Sequence, residues 1–447
     1  MENIDITEQS QVKGKSGKMY ETAGEMELAI AVSVIKKGAD KELLADYFHE
    51  LKELAETAGA EIVETLYQEL AKPNPATAIG CGKVEELKQL ANDLKVHLVI
   101  FDDDLSPAQT KNLGEALGIK VIDRSGLILD IFAKRARTVE AKTQVRLAQL
   151  QYMLPRLTRM WTHLSKQFGG IGTNMKGPGE TQIETDRRII KEQIQRLKED
   201  LVSIGVQKEQ QRRSRSDIPK FALVGYTNAG KSTLMNTVTE ASCYVEDKLF
   251  ATLDTTVRAF ELPGGQNAVL SDTVGFIRKL PHHLVASFRS TLAEAKEADV
   301  IVHIVDASHK LFRDHIKVVN ATLESLGISN KPVILVLNKI DKIEDGEIRH
   351  ALIEEFPGAV PVSAKKIYNI ATLIDVMRQR YEENVKFTKL LLPYADMRFI
   401  SQIYSLSRVL KREDTDDGII LELVINKDKD QLFAYNFEKF EVKQWQK

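Results

Sequence analysis

Short apolar runs recur along the first third of the chain, at Leu28 to Ile35, Ile62 to Leu70, His97 to Phe101 and Lys120 to Ile122. Between them, Lys41 to Ala58, Lys83 to Leu94 and Ala108 to Leu117 carry apolar residues at helical spacing. Strands alternating with helices predict a small α/β domain with a largely parallel sheet over residues 25–135.

The period then changes. Leu147, Leu150, Leu154, Leu157, Trp161 and Leu164 step by three and four, as do Ile190, Ile194, Leu197, Leu201 and Ile204, with Ile183 two turns before them. Two long amphipathic helices follow from that spacing. Between them "GGIGTNMKGPGE", Gly169 to Glu180, cannot continue a helix because of its glycines and Pro178. A helical hairpin over 136–210 with an elaborate Gly-Pro-Gly tip is expected. The polar stretch "QKEQQRRSRSD" reads as a linker ending near Asp217, with 211–217 assigned to the linker proper. Alternation resumes over 218–385, where Phe221 to Val224, Val269 to Ser271, Val300 to Val305 and Val333 to Leu337 are short buried strands of a second α/β domain. In the last segment, 386–447, "GIILELVINKDK" and "YNFEKFEV" read as strands of a small α+β domain.

Composition narrows the class without naming a function. At 447 residues, 43% hydrophobic and 28% charged, the chain is a soluble multidomain protein whose net charge of −2 announces neither nucleic acid nor membrane. Cys81 and Cys243 have no paired spacing and no companion histidine cluster, which supports neither a disulfide framework nor a zinc site and fits two thiols in a reducing cytoplasm. Met1 to Gly24 is polar, without an apolar signal core, and is expected to be a disordered N-terminus of a cytoplasmic, monomeric chain with no membrane insertion.

One motif carries specific chemistry. In "FALVGYTNAGKSTLMN", Gly225, Gly230, Lys231 and Ser232 fit G-x-x-x-x-G-K-[ST] after a strand and before a helix. Glycines let backbone N–H groups turn toward phosphates, and the helix that follows presents the positive end of its dipole. Lys231 then spans the β and γ phosphates and the Ser232 hydroxyl ligates magnesium, with Tyr226, Thr227, Asn228 and Ala229 completing the cradle. Asp272, Thr273, Val274 and Gly275, "DTVG", offer a carboxylate to the magnesium through water and an amide to the γ phosphate. Asn338, Lys339, Ile340 and Asp341, "NKID", place a carboxylate to accept from the guanine ring N–H and amino group, a donor pair that adenine lacks. Ser363, Ala364 and Lys365 direct backbone N–H groups at the guanine carbonyl. Each is weak alone; in this order after a phosphate loop they specify a GTP site with magnesium.

Phe250, Ala251, Thr252, Leu253 and Asp254 lie where a first switch is expected. Thr252 is the choice for a magnesium ligand that responds to the γ phosphate, with Thr255 and Thr256 as alternatives; the bland reading is a β-branched strand entrance. Lys231, Thr252 and Gly275 are the candidate catalytic set. Phe276 stands where a water-orienting glutamine would sit, which predicts slow intrinsic hydrolysis. His282 and His283 are the nearest general-base candidates, although "LPHHL" also reads as a surface helix start.

With these residues in view the chain resembles the HflX family of translation-factor-class GTPases. The likeness rests on "GYTNAGKSTL", "LFATLDTT", "DTVGFIR" and "NKID", and outside the G domain on "GCGKVEEL" and "GPGETQIE". It implies an N-terminal half that binds large-subunit ribosomal RNA, a tip that reaches toward the peptidyl-transferase region, and GTP-dependent ribosome dissociation or rescue. Thr255 replaces an expected proline, and "NMK" with Lys176 replaces an expected arginine beside Gly177, Pro178 and Gly179. The residues support an RNA-facing segment independently. From 134 to 176 there are nine basic residues (134, 135, 137, 142, 146, 156, 159, 166, 176) against one acid, Glu140. Lys134, Arg135, Arg137, Arg156, Arg159, Lys166, Lys176, Gly177, Pro178 and Gly179 are the candidate RNA contacts, with Tyr152, Trp161 and Phe168 interleaved. A solvated helix face is the bland alternative. Gly80, Gly82 and Lys83 invite a phosphate-site reading, for which a glycine-shaped helix start or an RNA contact is the simpler account. The rival to a ribosomal switch is a nucleotide-gated protein-binding module with negligible turnover; a P-loop ATPase is opposed by Asp341.

Overall fold

In the computed structural model, which describes residues 26–38, 41–157, 178–213, 218–239, 249–250, 254–279, 293–328 and 330–442, the first sheet is parallel throughout. Strands β1 (Glu27–Ile35), β2 (Ala60–Glu69), β3 (Leu98–Phe101) and β4 (Lys120–Asp123) take the order β2-β1-β3-β4. Ala29, Ile30, Ala31 and Val32 of β1 are all buried, because helices cover both faces. Helix α1 (Lys41–Ala58) has the limits expected from its spacing; α2 (Cys81–Asp93) and α3 (Pro107–Leu117) pack on the other face. Ser106 starts α3 with a capping box to Gln109. Cys81 is a free, exposed thiol, and Lys83 pairs with Glu86 at 2.8 Å, so the glycines there shape a helix start.

Helix α4 (Arg124–Arg135) was not marked by the alternation, since "GLILDIF" is buried on nearly every side. It leads into α5 (Val139–Met153), which packs on α6 (Pro178–Arg213) through Leu147, Leu150 and Ile194. Helix α6 continues through Gln211, Arg212 and Arg213, residues read from composition as linker. Arg159, Lys166, Lys176 and Gly177 of the tip, with Trp161 and Phe168, lie outside the described residues, as do Met1 to Gly24, Cys243, His282 and His283. Pro178 and Gly179 begin α6.

The second sheet has six strands in the order β10-β9-β8-β5-β7-β6. Its parallel members are β5 (Lys220–Gly225), β7 (Gln266–Asp272), β8 (Val300–Asp306), β9 (Val333–Asn338) and β10 (Val360–Pro361). β6 (Thr256–Leu262) pairs antiparallel with β7, so Thr256 opens a strand. Among the described residues, helices α7 (Lys231–Val238), α8 (Ala293–Glu297), α9 (Phe312–Ser325), α10 (Gly346–Glu355) and α11 (Ile370–Asn384) belong to this domain.

Strand β11 (Val385–Leu392) follows α11 directly and joins β12 (Arg408–Thr415) and β13 (Gly418–Asn426) in an antiparallel sheet, order β11-β13-β12, backed by α12 (Ile400–Leu406) and α13 (Lys427–Phe437). The strand expected at "YNFEKFEV" is corrected: the chain there ends α13 and makes a 3-10 turn, Glu438–Phe440. Phe433, Phe437 and Phe440 step by four and three, which puts all three rings against the sheet. Arg408 ties this sheet to the preceding domain, donating to the Tyr381 hydroxyl and to Asp299, each at 3.0 Å.

Candidate functional site

The loop after β5 is shaped by what surrounds it. A side chain at Gly225 would collide with the Ile304 carbonyl, and one at Gly230, which sits at φ 93°, would meet the Asn338 amide. Lys231 then starts α7, buried, with its Nζ donating to the carbonyls of Tyr226 (2.9 Å) and Gly225 (3.2 Å). Burial lowers its ammonium to about 8 even though Asp272 pulls the other way. Next to it the Ser232 hydroxyl donates to Asp272 Oδ2 at 2.6 Å, joining the helix to the end of β7. Asn228 at the loop crest is exposed, with a left-handed φ of 59°.

The base side is bracketed by one buried amide. Asn338 donates to the Ala229 carbonyl (2.8 Å) and accepts from Ala364 N–H (3.1 Å), so it fixes the phosphate loop to the segment of Ser363, Ala364 and Lys365. That leaves one N–H of the amide free of these two bonds. Lys339 bonds Asp306 at 2.9 Å, and Asp341 is exposed on a 3-10 turn, Ile340–Lys342. Ser363 is buried and accepts from Lys366 N–H at 3.1 Å. Thr273 is buried, its hydroxyl donating to the Leu223 carbonyl at 2.7 Å.

Around this loop the N-terminal domain grips the segments expected to switch. Leu249 and Phe250 are buried in its core, and the Phe250 ring meets Phe132 edge-on at 4.7 Å. Burying two such side chains stabilises that contact by roughly 1.5–3 kcal/mol each, enough to hold Phe250 at its left-handed φ of 54°. Asp254 accepts from the N–H groups of Arg137 (3.0 Å) and Thr138 (3.3 Å), the residues that open α5. Val274 and Ile277, flanking Phe276, join the same core. The Phe250 ring and the Asp254 carboxylate, both expected near the nucleotide, are thus directed to the N-terminal half. Ala251, Thr252 and Leu253 lie outside the described residues.

A charged junction completes the grip. Asp102 accepts from Arg124 (2.7 Å), Arg278 (3.0 Å) and Lys279 (2.8 Å), while Glu50 pairs with Arg124 and with Arg278 (3.2 Å). The Tyr226 hydroxyl donates to Glu50 and accepts from Arg278 N–H at 2.8 Å, and its ring stacks on His315 at 3.8 Å. Burial alone would raise the Asp102 carboxyl, but Arg124, Arg278 and Lys279 outweigh it and bring it down to about 2. Removing that carboxylate leaves Arg124 buried with one partner fewer. Asp102→Ala is expected to lower the unfolding free energy by about 3 kcal/mol, read from the urea midpoint; a loss below about 1 kcal/mol would mean the junction contributes little. The sequence signal for this junction was "FDDDL", three aspartates at the end of β3, which motif reading passed over.

The basic segment divides. Arg156 donates to Asp123 (3.0 Å) and to the carbonyls of Leu105 and Tyr152 while lying over the Tyr152 ring, so it anchors the hairpin base. Lys134 donates to the Ala58 carbonyl at the end of α1. Arg135 also has a partner within the chain, and the Arg137 residue is exposed.

Comparison with known proteins adds to this geometry. Residues 45–133 match a family model described as GTP-binding GTPase N-terminal, 135–215 one described as GTP-binding GTPase Middle Region, and 220–339 one described as 50S ribosome-binding GTPase. GTPase HflX of Caldanaerobacter subterraneus subsp. tengcongensis is 44% identical over 406 residues, covering 90% of this chain and 91% of its own length. The chain belongs to the HflX family. GTPase HflX of Flavobacterium psychrophilum is 51% identical over 315 residues (70% of this chain, 76% of that one), and its Escherichia coli counterpart is 44% identical over 374 (83% and 87%). A GTP-binding protein from Sulfolobus solfataricus in complex with GDP aligns with a TM-score of 0.40 and 27% identity over 79% of this chain and 99% of that one. Like its HflX relatives the chain is a P-loop GTPase that binds GTP and hydrolyses it to GDP and phosphate. Among the described residues of this HflX chain, no helix is long and apolar enough to cross a membrane.

Proposed function

We propose that the chain is a cytoplasmic, monomeric, GTP-driven switch whose output is the affinity of its N-terminal half for the large ribosomal subunit. The observation that carries this reading is the double grip. Leu249, Phe250 and Asp254 before β6, and Val274, Ile277 and Arg278 after β7, all contact the N-terminal half. Any rearrangement that a γ phosphate imposes on these segments must therefore act on the base of the hairpin. The description 50S ribosome-binding GTPase attached to the family model over 220–339 names the partner class.

In this reading Lys231 and the amides of Gly230 to Ser232 at the start of α7 hold the phosphates, Gly275 meets the γ phosphate, and Asp341 with Ser363 to Lys365 reads guanine. The Ser232 hydroxyl and Asp272 carboxylate converge as hard oxygen donors, a set that suits magnesium, with Thr252 as the ligand that senses the γ phosphate and Asp272 acting through water. Magnesium, when bound, neutralises charge on the β and γ phosphates. The exposed basic residues of the hairpin supply phosphate contacts to RNA.

The test is GTP turnover alone and with isolated large ribosomal subunits, with Gly179→Ala for comparison. At least about tenfold stimulation, reduced by the tip change, is expected, because a bound partner fixes the switches and the attacking water. Absence of stimulation at low and moderate salt would overturn the ribosomal switch in favour of a protein-binding module.

A further inference from the structure

The phosphate loop holds one polar group that no bond within the described residues explains. Thr227 is 6% exposed, and its hydroxyl is buried with no hydrogen-bond partner. Buried hydroxyls are nearly always satisfied, so an orphan in a binding loop points to a ligand or a water that completes it. Its place is specific. A side chain built at Gly275 would lie 2.8 Å from Thr227 Cγ2, 2.9 Å from its Cα and 3.0 Å from Lys231 Nζ, so Thr227 packs with its methyl toward Gly275, beside the Lys231 ammonium.

Phe276 supplies no polar side chain beside Thr227. Its ring is 3% exposed in the core beside Val224 and Ile301, and cannot face the phosphates. Its backbone instead clamps the loop: Thr227 N–H donates to the Phe276 carbonyl at 2.7 Å, and Phe276 N–H donates to the Gly225 carbonyl at 3.0 Å. The residue in the glutamine position thus orders Thr227 without touching the reaction. A threonine hydroxyl can donate and accept together, which is what a group between a phosphate oxygen and a water requires.

We propose that Thr227 is a catalytic residue of GTP hydrolysis, its hydroxyl donating to a γ-phosphate oxygen while accepting a hydrogen bond from the attacking water. The water oxygen forms its bond to the γ phosphorus as the bond from that phosphorus to the bridging oxygen breaks, GDP keeping the electron pair. The proton lost by the water passes to a γ-phosphate oxygen, and Thr227 ends the step with its own proton. The proposal rests on the phosphate-loop reading above and needs no ribosome.

The experiment compares Thr227→Val, which keeps the shape, with Thr227→Ser, which keeps the hydroxyl. Basal single-turnover hydrolysis is measured at saturating GTP, and titration with GDP and with β,γ-imido-GTP gives affinity. Valine is expected to slow hydrolysis roughly 100-fold, the scale of losing one preorganised hydrogen-bonding group, and serine less than about fivefold, both binding GDP within about threefold of the parent. A parent-like rate for valine, or serine as slow as valine, would overturn the assignment. So would a loss of GDP affinity in valine that parallels its rate, since Thr227 would then only shape the loop. If the parent protein binds neither nucleotide, the phosphate-loop reading itself fails.

Discussion

Lys231→Ala is expected to lower GTP turnover by at least about 10³-fold and GDP affinity by at least about 10²-fold while leaving the fold intact. The side chain is buried in the first turn of α7, and its ammonium bonds two carbonyls of its own loop. Those carbonyls hold the charge at the phosphate end without neutralising it, and burial already disfavours the charged form. An arriving triphosphate adds anionic oxygens to the pull of Asp272 and gains charge as the reaction proceeds, so truncation removes a charge-assisted contact from the bound nucleotide and a stronger one from the transition state. Stability should change by less than about 1 kcal/mol, because the alanine variant no longer buries an ammonium. Turnover, GDP titration and a urea midpoint measured on one preparation check all three parts. Turnover within tenfold of the parent would refute the phosphate-loop reading.

Asp341→Asn is expected to shift the preference between GTP and xanthosine triphosphate by about 10³-fold toward xanthine. A carboxylate accepts from both the ring N–H and the 2-amino group of guanine, and hydrogen bonds to a charged group contribute about 1.5–3 kcal/mol each. An asparagine amide offers one acceptor and one donor, which matches the ring N–H and 2-carbonyl of xanthine. Asp341 is exposed on its 3-10 turn, so the substitution should leave the surroundings in place. The bracket made by Asn338 between Ala229 and Ala364 keeps base and phosphate ends at a fixed separation, so the change should read as affinity more than as rate. Competition binding with the two triphosphates measures the ratio. An unchanged preference for guanine would mean that Asp341 does not face the base.

What was legible in the sequence was local. The phosphate loop is a strand, a glycine turn and a helix start in immediate succession, and α1 is a single amphipathic period with clear ends. Helix α4 escaped because burial on nearly all sides erases the period, and the C-terminal phenylalanines misled because aromatic residues also favour strands. Of the junction between Asp102 and Arg278 only the acidic run "FDDDL" was visible, since the partners are 176 residues apart and neither flanking pattern encodes the other. Arg156 shows the same limit: its charge was visible, but not that Asp123 would take it.

The burial of Leu249, Phe250, Val274 and Ile277 beside Phe132 and Val145 means that the two halves of this molecule are not interchangeable cassettes. A fragment cut at residue 218 would carry into water four apolar side chains whose cover was left behind. Such a piece can still present a phosphate loop, yet its switches would start from a different resting shape, and rates measured on it would describe another protein. Grafting the hairpin and its α/β base onto a foreign G domain would meet the same mismatch from the other side.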